Sequence, residues 1–285
     1  VSTLDGGIIE DLSLEIYHSG NHGFVGSSRL RDFVMHGEAF FQQRYVLGTL
    51  AKPETKALTI GQAFEDLVQR GEEYVYAHYA VRPAHLGNGN TKASKEWAAA
   101  NAHKPKLTED DLETMRAMLV TMQTCAIGMT LIQGCQQQVT LRGHVHGLAM
   151  QSRPDYLRLN EYNAFSVDLK TTDSMNDFLG RGHPAIWKYG YHIQAAIVRQ
   201  LLAANGYPNA SCYLFVVEKT GAYRRACIQV PAEYLAWGDE YLAQHAPRLA
   251  HCILHDEWPL GPEEIVQLTL PSWVKPGAGL EEAAP

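Results

Sequence analysis

Arg153-Pro154-Asp155-Tyr156-Leu157-Arg158-Leu159-Asn160-Glu161-Tyr162-Asn163-Ala164-Phe165-Ser166-Val167-Asp168-Leu169-Lys170-Thr171-Thr172 is the stretch from which the fold can be read. Residues 156–159 read as a strand, 160–163 carry turn chemistry, and 164–169 read as a second strand. The product is a hairpin with an acid at the start of one arm and Asp-Leu-Lys at the end of the other. Residues two apart in a strand share a face, so Asp168 and Lys170 point the same way. The hairpin folds Asp155 back beside them, which gathers two carboxylates and one ammonium in a small volume.

Carboxylates are hard oxygen ligands suited to Mg²⁺ or Mn²⁺, ions that keep several waters and also bind substrate phosphates. A lysine beside such an ion can orient or help deprotonate a water and offset charge on a phosphoryl oxygen. The constellation points to metal-assisted hydrolysis of a phosphodiester. Asp-x-Lys alone is more often a solvated pair on a surface hairpin. Pro-Asp at hairpin distance upstream, with an acid-bearing helix before it, favours the site.

Four groups of residues carry a family resemblance. They are Arg153-Pro154-Asp155, Asp168-Leu169-Lys170-Thr171-Thr172, Tyr191-His192-Ile193-Gln194, and Asp256-Glu257-Trp258-Pro259 with Leu270-Pro271-x-Trp273. Together they resemble the PD-(D/E)xK nuclease motif, and within it the exonuclease domain of the exodeoxyribonuclease VIII family, cousins of phage lambda exonuclease. The resemblance spans roughly residues 17–275. It implies an α/β fold, a restriction-endonuclease-like core whose mixed central β-sheet is flanked by helices. It also implies a Mg²⁺-dependent (Mn²⁺-tolerant) 5′-to-3′ exonuclease acting on double-stranded DNA ends. A ring of three or four subunits and a single-strand annealing protein as partner are further implications.

The resemblance assigns roles residue by residue. Relatives carry Gly-x-x-x-His or Gly-x-x-x-Glu on a helix near the metal, matched here by Gly61 and Glu65. Glu65, Asp155 and Asp168, with the Leu169 carbonyl, are the implied metal ligands, and Lys170 positions or activates the water. Ser28 and Arg153 are implied to hold a terminal 5′-phosphate, while Tyr191 and Gln194 orient the scissile strand. Many related nucleases add a tyrosine four residues after the glutamine, where this chain has Val198, and no role is carried to that position.

The residues read differently without the resemblance. Ser27-Ser28 starts a helix with a serine at or near its N-cap, and capping alone would account for it. The alternative for Glu65 is a solvated helix glutamate, and for Gln194 a helix-packing hydrogen bond, each the lesser reading beside the rest of the motif. His144-Val145-His146 would place two rings on one strand face, but no third ligand is spaced for zinc, so two strand-end histidines are expected.

Composition sets independent bounds. The chain has 285 residues, long enough for a full core, and 46% hydrophobic with 19% charged residues is ordinary globular usage. No run of 18 apolar residues is present, so no membrane span is expected, nor is a secretory signal read at the start. Five scattered cysteines without Cys-x-x-Cys read as free thiols of a reducing, cytoplasmic setting and exclude the spacing of an iron-sulfur cluster. A net charge of −7 requires that any DNA meet a local basic patch.

The organisation expected is a loose lead-in over 1–16, one domain over 17–275 and a disordered tail over 276–285. Residues 81–106, rich in Gly, Asn, Lys and Pro, read as a mobile loop, either DNA-facing through Lys92 and Lys95 or a plain connector. Thr108 with Asp111 predicts a capped helix, and Pro184 opens one continuous helix to about Asn205. Two further classes stay open: a structure- or site-specific endonuclease of the same fold, and a non-catalytic DNA-binding assembly protein.

Overall fold

The computed structural model describes residues 6–19, 23–51, 55–87, 89–161, 163–261 and 263–269. The hairpin forms as its alternation dictates. In the numbering used from here, β7 (Tyr156–Leu159) pairs antiparallel with β8 (Asn163–Thr172), Tyr156 opposite Val167 and Leu159 opposite Ala164. The turn closes with Asn160 N–H donating to the Asn163 carbonyl at 2.8 Å.

Ahead of the hairpin come β1 (Gly7–Ile9), α1 (Leu14–Ser19), α2 (Ser27–His36) and α3 (Glu38–Phe41), the last running into a π-helical turn at Gln42–Val46. Next are α4 (Lys56–Arg70), α5 (Glu72–His78), β2 (Ala80–Arg82), α6 (Lys92–Ala100), β3 (Lys106–Thr108), α7 (Glu109–Gln123) and α8 (Ala126–Ile132). The strands β4 (Gln136–Gln137), β5 (Thr140–Val145) and β6 (Leu148–Ser152) lead into the hairpin. After it follow α9 (Asn176–Leu179), α10 (Pro184–Tyr189), α11 (Tyr191–Ala204), β9 (Asn209–Glu218), β10 (Arg225–Gln229) and α12 (Ala232–His255).

The main sheet has the order β10-β9-β8-β7-β4, with β8 and β9 parallel and its other pairs antiparallel. It is the mixed central sheet expected. The parallel pair needs a crossover, and α9, α10 and α11 supply it. A second sheet, β1-β5-β6, lies alongside. The chain passes from one sheet to the other at Arg153-Pro154-Asp155, where a proline, lacking an N–H to offer a ladder, suits the departure.

Alternation along β8 divides the core in two. Val167 and Leu169 join Phe64, Leu67, Met115 and Phe215 under α4 and α7. Ala164 joins Leu214, Val216, Ile197 and Leu201 under α11 and α12. α11 and α12 approach so closely that a Cβ on Gly238 would lie 2.6 Å from Ala196 Cβ and 2.7 Å from the His192 carbonyl oxygen.

Four expectations change. The described part of the lead-in is structured: β1 pairs with β5, Gly7 opposite Arg142. The stretch 81–106 holds α6, whose N-cap Thr91 accepts from Ser94 N–H at 3.1 Å, with β3 parallel to β2. Thr108 and Asp111 do form a capping box on α7, but the helix expected from Pro184 to Asn205 breaks at Gly190. His144 is exposed on β5, and His146 sits at φ 48° in the tight β5–β6 turn, so the two histidines share no strand face. The aromatic tail docks as expected where described, with Trp258 stacked on Phe41 at 5.7 Å. Leu270, Trp273 and the tail 276–285 lie outside the described residues.

Candidate active site

Three elements converge where the two sheets part. β8 turns Asp168 toward α11, and there Gln194 Nε2 donates to Asp168 Oδ1 at 2.8 Å. Lys170 Nζ reaches the same oxygen at 3.4 Å, so the strand's two-residue period does put acid and lysine side by side. Asp155, one residue before β7, turns back on the strand and accepts the Leu169 N–H on Oδ2 at 2.6 Å. From the opposite face α4 brings Glu65, within hydrogen-bonding reach of Asp155. One turn before Glu65, Gly61 passes Thr171 of β8, where an added Cβ would stand 3.7 Å from Oγ1, an ordinary contact.

Asp168 is buried, and Glu65, Asp155 and Lys170 are half-buried. Burial pushes the Asp155 carboxyl well above the usual carboxylate range, and Glu65 and Asp168 push it further against the pull of Lys170 and the Leu169 N–H. Burial likewise raises Glu65, with Gln138, Asp155 and Lys170 acting the other way. Lys170 is pulled down by burial, yet Asp168 and Asp155 outweigh that and hold its ammonium above the ordinary lysine value. Burial is thus the main cause for both carboxyls, and at Asp155 the neighbouring acids add to it.

Such a donor set fits a hard divalent cation. Among the described residues no three His, Cys, Asp or Glu side chains close into a cage that could hold a metal by themselves. An ion held there would complete its shell with water and substrate phosphate. One oxygen of each acid is already fixed by a protein donor: Glu65 Oε1 by Gln138, Asp155 Oδ2 by Leu169, and Asp168 Oδ1 by Gln194 and Lys170.

Gln138 escaped the sequence reading. It stands between β4 and β5 at φ 57° and divides its amide between Glu65 Oε1 at 2.7 Å and Gln69 Oε1 at 2.8 Å. The run Gln136-Gln137-Gln138 at the mouth of a strand was the available signal. Tyr17 escaped as well. It is half-buried, with its phenol pushed up to about 12 by burial, and it lies in the field of Arg153, Asp168, Arg29 and Arg142.

Arg153 is turned inward. Its Nε and Nη2 donate to Thr140 Oγ1 at 2.8 and 2.7 Å, Nη2 also to the Leu12 carbonyl at 2.6 Å, and its Cζ lies 4.6 Å from the Tyr17 ring centroid. Ser28 is exposed in the first turn of α2, where Gly26 rather than a serine is the N-cap and no side chain caps the helix. Arg29, next to it, lies in the field of Tyr17, whose ring also faces Arg153. Tyr191 opens α11 half-buried, with Lys170 Nζ 5.1 Å from its ring centroid.

Residues 27–269 match the family described as a PDDEXK-like domain of unknown function (DUF3799). The chain belongs to that family. Its signature is spelled here by Pro154-Asp155 and Asp168-Leu169-Lys170, and it places the chain in the PD-(D/E)xK nuclease superfamily, whose members generally use divalent metals. No curated protein matches the sequence. The crystal structure of an exonuclease candidate from Eubacterium rectale superposes with a TM-score of 0.63 at 13% identity, covering 92% of this chain and 96% of that one. At that identity the likeness speaks for the fold. A structure named SSO0001 covers 74% of this PDDEXK-like chain and 91% of its own at 13% identity and a TM-score of 0.30, which carries no argument. Family and site together support nuclease chemistry. Among the described residues no single helix is long and apolar enough to cross a membrane.

Proposed function

We propose that this PDDEXK-like protein is a Mg²⁺-dependent exodeoxyribonuclease that degrades double-stranded DNA from its ends in the 5′-to-3′ direction and leaves 3′ single strands. The observation that carries the reading is the shared oxygen of Asp168, which holds both the Lys170 ammonium and the Gln194 amide beside Asp155 and Glu65. A Mg²⁺ ion, with Mn²⁺ as substitute, would be held by Glu65, Asp155, Asp168 and the Leu169 carbonyl, and would supply Lewis-acid polarisation of the phosphodiester and an activated water.

The chain's own residues do the rest. An ammonium paired with a carboxylate is a donor and a charge rather than a proton acceptor, so Lys170 orients the attacking water and offsets charge on the phosphoryl oxygens. Gln194 holds Asp168 in its rotamer, and Gln138 does the same for Glu65. Ser28, exposed at the start of α2, would receive the terminal 5′-phosphate, with Arg153, its Nε and Nη2 committed to Thr140 and Leu12, adding positive charge from behind, and Tyr191 would lie along the cleaved strand. Polarity and preference for ends rest on the resemblance to the exodeoxyribonuclease VIII family. The 3′ strands produced would suit a single-strand annealing protein as partner.

The test compares linear duplex labelled at either 5′ or 3′ ends with covalently closed circular DNA, in Mg²⁺ and in EDTA. Early release of 5′ label from linear DNA, intact circles and no release in EDTA are expected. Cleaved circles would make it an endonuclease, and activity in EDTA would remove the metal.

A further inference from the structure

Three aromatic rings run in file from the core to the surface beside Lys170. Phe178 is 2% exposed, Tyr191 is half-buried and Tyr189 is 47% exposed. Phe178 and Tyr191 stack at 5.7 Å with planes 15° apart, and Tyr191 and Tyr189 follow at 5.6 Å and 37°. A lysine attends each of the last two rings: Lys170 Nζ is 5.1 Å from the Tyr191 centroid, and Lys188 Nζ is 5.1 Å from that of Tyr189.

An exposed tyrosine needs no explanation by itself. The backbone around this one does. Tyr189 ends α10, and Gly190 follows at φ 67° and ψ 33°, the left-handed region open to glycine. A Cβ there would stand 2.7 Å from both Cδ and Nε of Arg31. Arg31 in turn donates to the carbonyls of Tyr189 at 2.6 Å and Lys188 at 2.9 Å. A guanidinium from α2 thus clamps the chain at the break between α10 and α11, and the ring is aligned by Tyr191 behind it.

We propose that Tyr189 is a stacking platform for a nucleobase, the fourth ring of the file, and that Lys188 meets the phosphate attached to that base. Aromatic side chains with a flanking cation bind unpaired nucleotides without regard to sequence, because every base offers a π-face. A base inside a duplex has both faces covered, so the platform selects a terminal or unpaired base. Tyr191, the middle ring, lies under Lys170, so a base stacked on Tyr189 would stand one ring away from the lysine of the proposed chemistry. This inference rests on the nuclease reading and names the part of the substrate that the site grips.

Binding is read in EDTA, without turnover, by fluorescence anisotropy of a 5′-phosphorylated duplex ending in a few unpaired nucleotides. Tyr189→Ala should weaken binding roughly tenfold or more, and Tyr189→Phe should bind as the parent does. The parent should bind a duplex with abasic residues at the unpaired positions as weakly as Tyr189→Ala binds the intact one, and the variant should lose nothing further on it. Equal affinity of parent and Tyr189→Ala for the intact duplex overturns the platform. A changed particle size in Tyr189→Ala with unchanged DNA affinity also overturns it, assigning the ring to contacts between copies of the chain. If the parent fails to hydrolyse DNA in Mg²⁺ while its binding still depends on Tyr189, the platform stands and the nuclease reading falls.

Discussion

Asp168 Oδ1 is the atom on which the proposed chemistry turns, since it accepts from Lys170 and Gln194 together. Removing the lysine takes away the positive charge nearest the reacting phosphate and leaves the sheet untouched. Lys170→Ala should therefore lower hydrolysis by roughly 10² or more in a protein that still folds at neutral pH, although it loses the stability of its buried pair with Asp168. Parental turnover in that variant would take Lys170 out of the mechanism. Asp155, Asp168 and Lys170 were legible because one hairpin holds all three and strand periodicity alone aligns them. Glu65 comes from a distant helix and was reached through a family pattern. Gln138 and Tyr17 come near the acids only after the sheets assemble, and the glutamine run before β5 is a weak local mark for Gln138 and none for Tyr17. Arg153 is expected from the resemblance to hold a 5′-phosphate, whereas its observed hold on Thr140 and Leu12 depends on β5 and the segment after β1, which no short window shows.

Among elements, strong alternation was read well and weak periodicity was not. β7, β8 and β9 stand where apolar alternation put them, and the capping box of α7 marked its start. α6 looks like loop in the sequence because its Ala-rich, lysine-bearing stretch exposes most of its surface and gives no apolar stripe. The break at Gly190 was hidden because the apolar spacing continues through it, and the cause, Arg31, lies on another helix. β9 ends in a buried carboxylate of consequence for stability. Glu218 accepts from Arg224 Nη2 at 2.8 Å and Nε at 3.0 Å and from Met175 N–H at 2.8 Å, tying the β9 end to the chain leaving β8. Hydrogen bonds from Arg224 lower its pKa to about 2. A depressed carboxylate stabilises the fold above its unfolded pKa and loses that contribution as pH falls toward its folded one. Glu218→Gln should cost about 1–2 kcal/mol at pH 7, discounted because Arg224 is half exposed, and the gap from the parent should close between pH 4.5 and 2. Urea midpoints across that range check it, and a gap independent of pH would contradict it.

For the whole molecule, an acidic chain must hold an acidic polymer. Among the described residues Lys56, Arg82, Lys95 and Lys106, together with Asp111, border a groove at the starts of α4 and α6 and along β2 and β3, and Lys104 extends the basic surface beside it. We propose that enclosure substitutes for bulk charge, as a cyclic homo-oligomer of three or four subunits with this groove toward the passage. Light scattering at working concentration should give three or four times the monomer mass of 31.7 kDa, and a monomer would end the ring. Ring closure is invisible in one chain's sequence, because it depends on the complementarity of two distant surfaces.

The pairing of β1 with β5 bears on the order in which the molecule comes into being on the ribosome. Gly7–Ile9 is made well before its partner Thr140–Arg142 emerges. At roughly 5–20 residues per second the wait is on the order of ten seconds. Leu12 and Tyr17 wait longer still for Arg153, and Asp168 waits for Gln194. A nascent chain thus carries its acids before it carries the residues that aim them, and translation itself withholds the finished site until the crossover back to β9 is made.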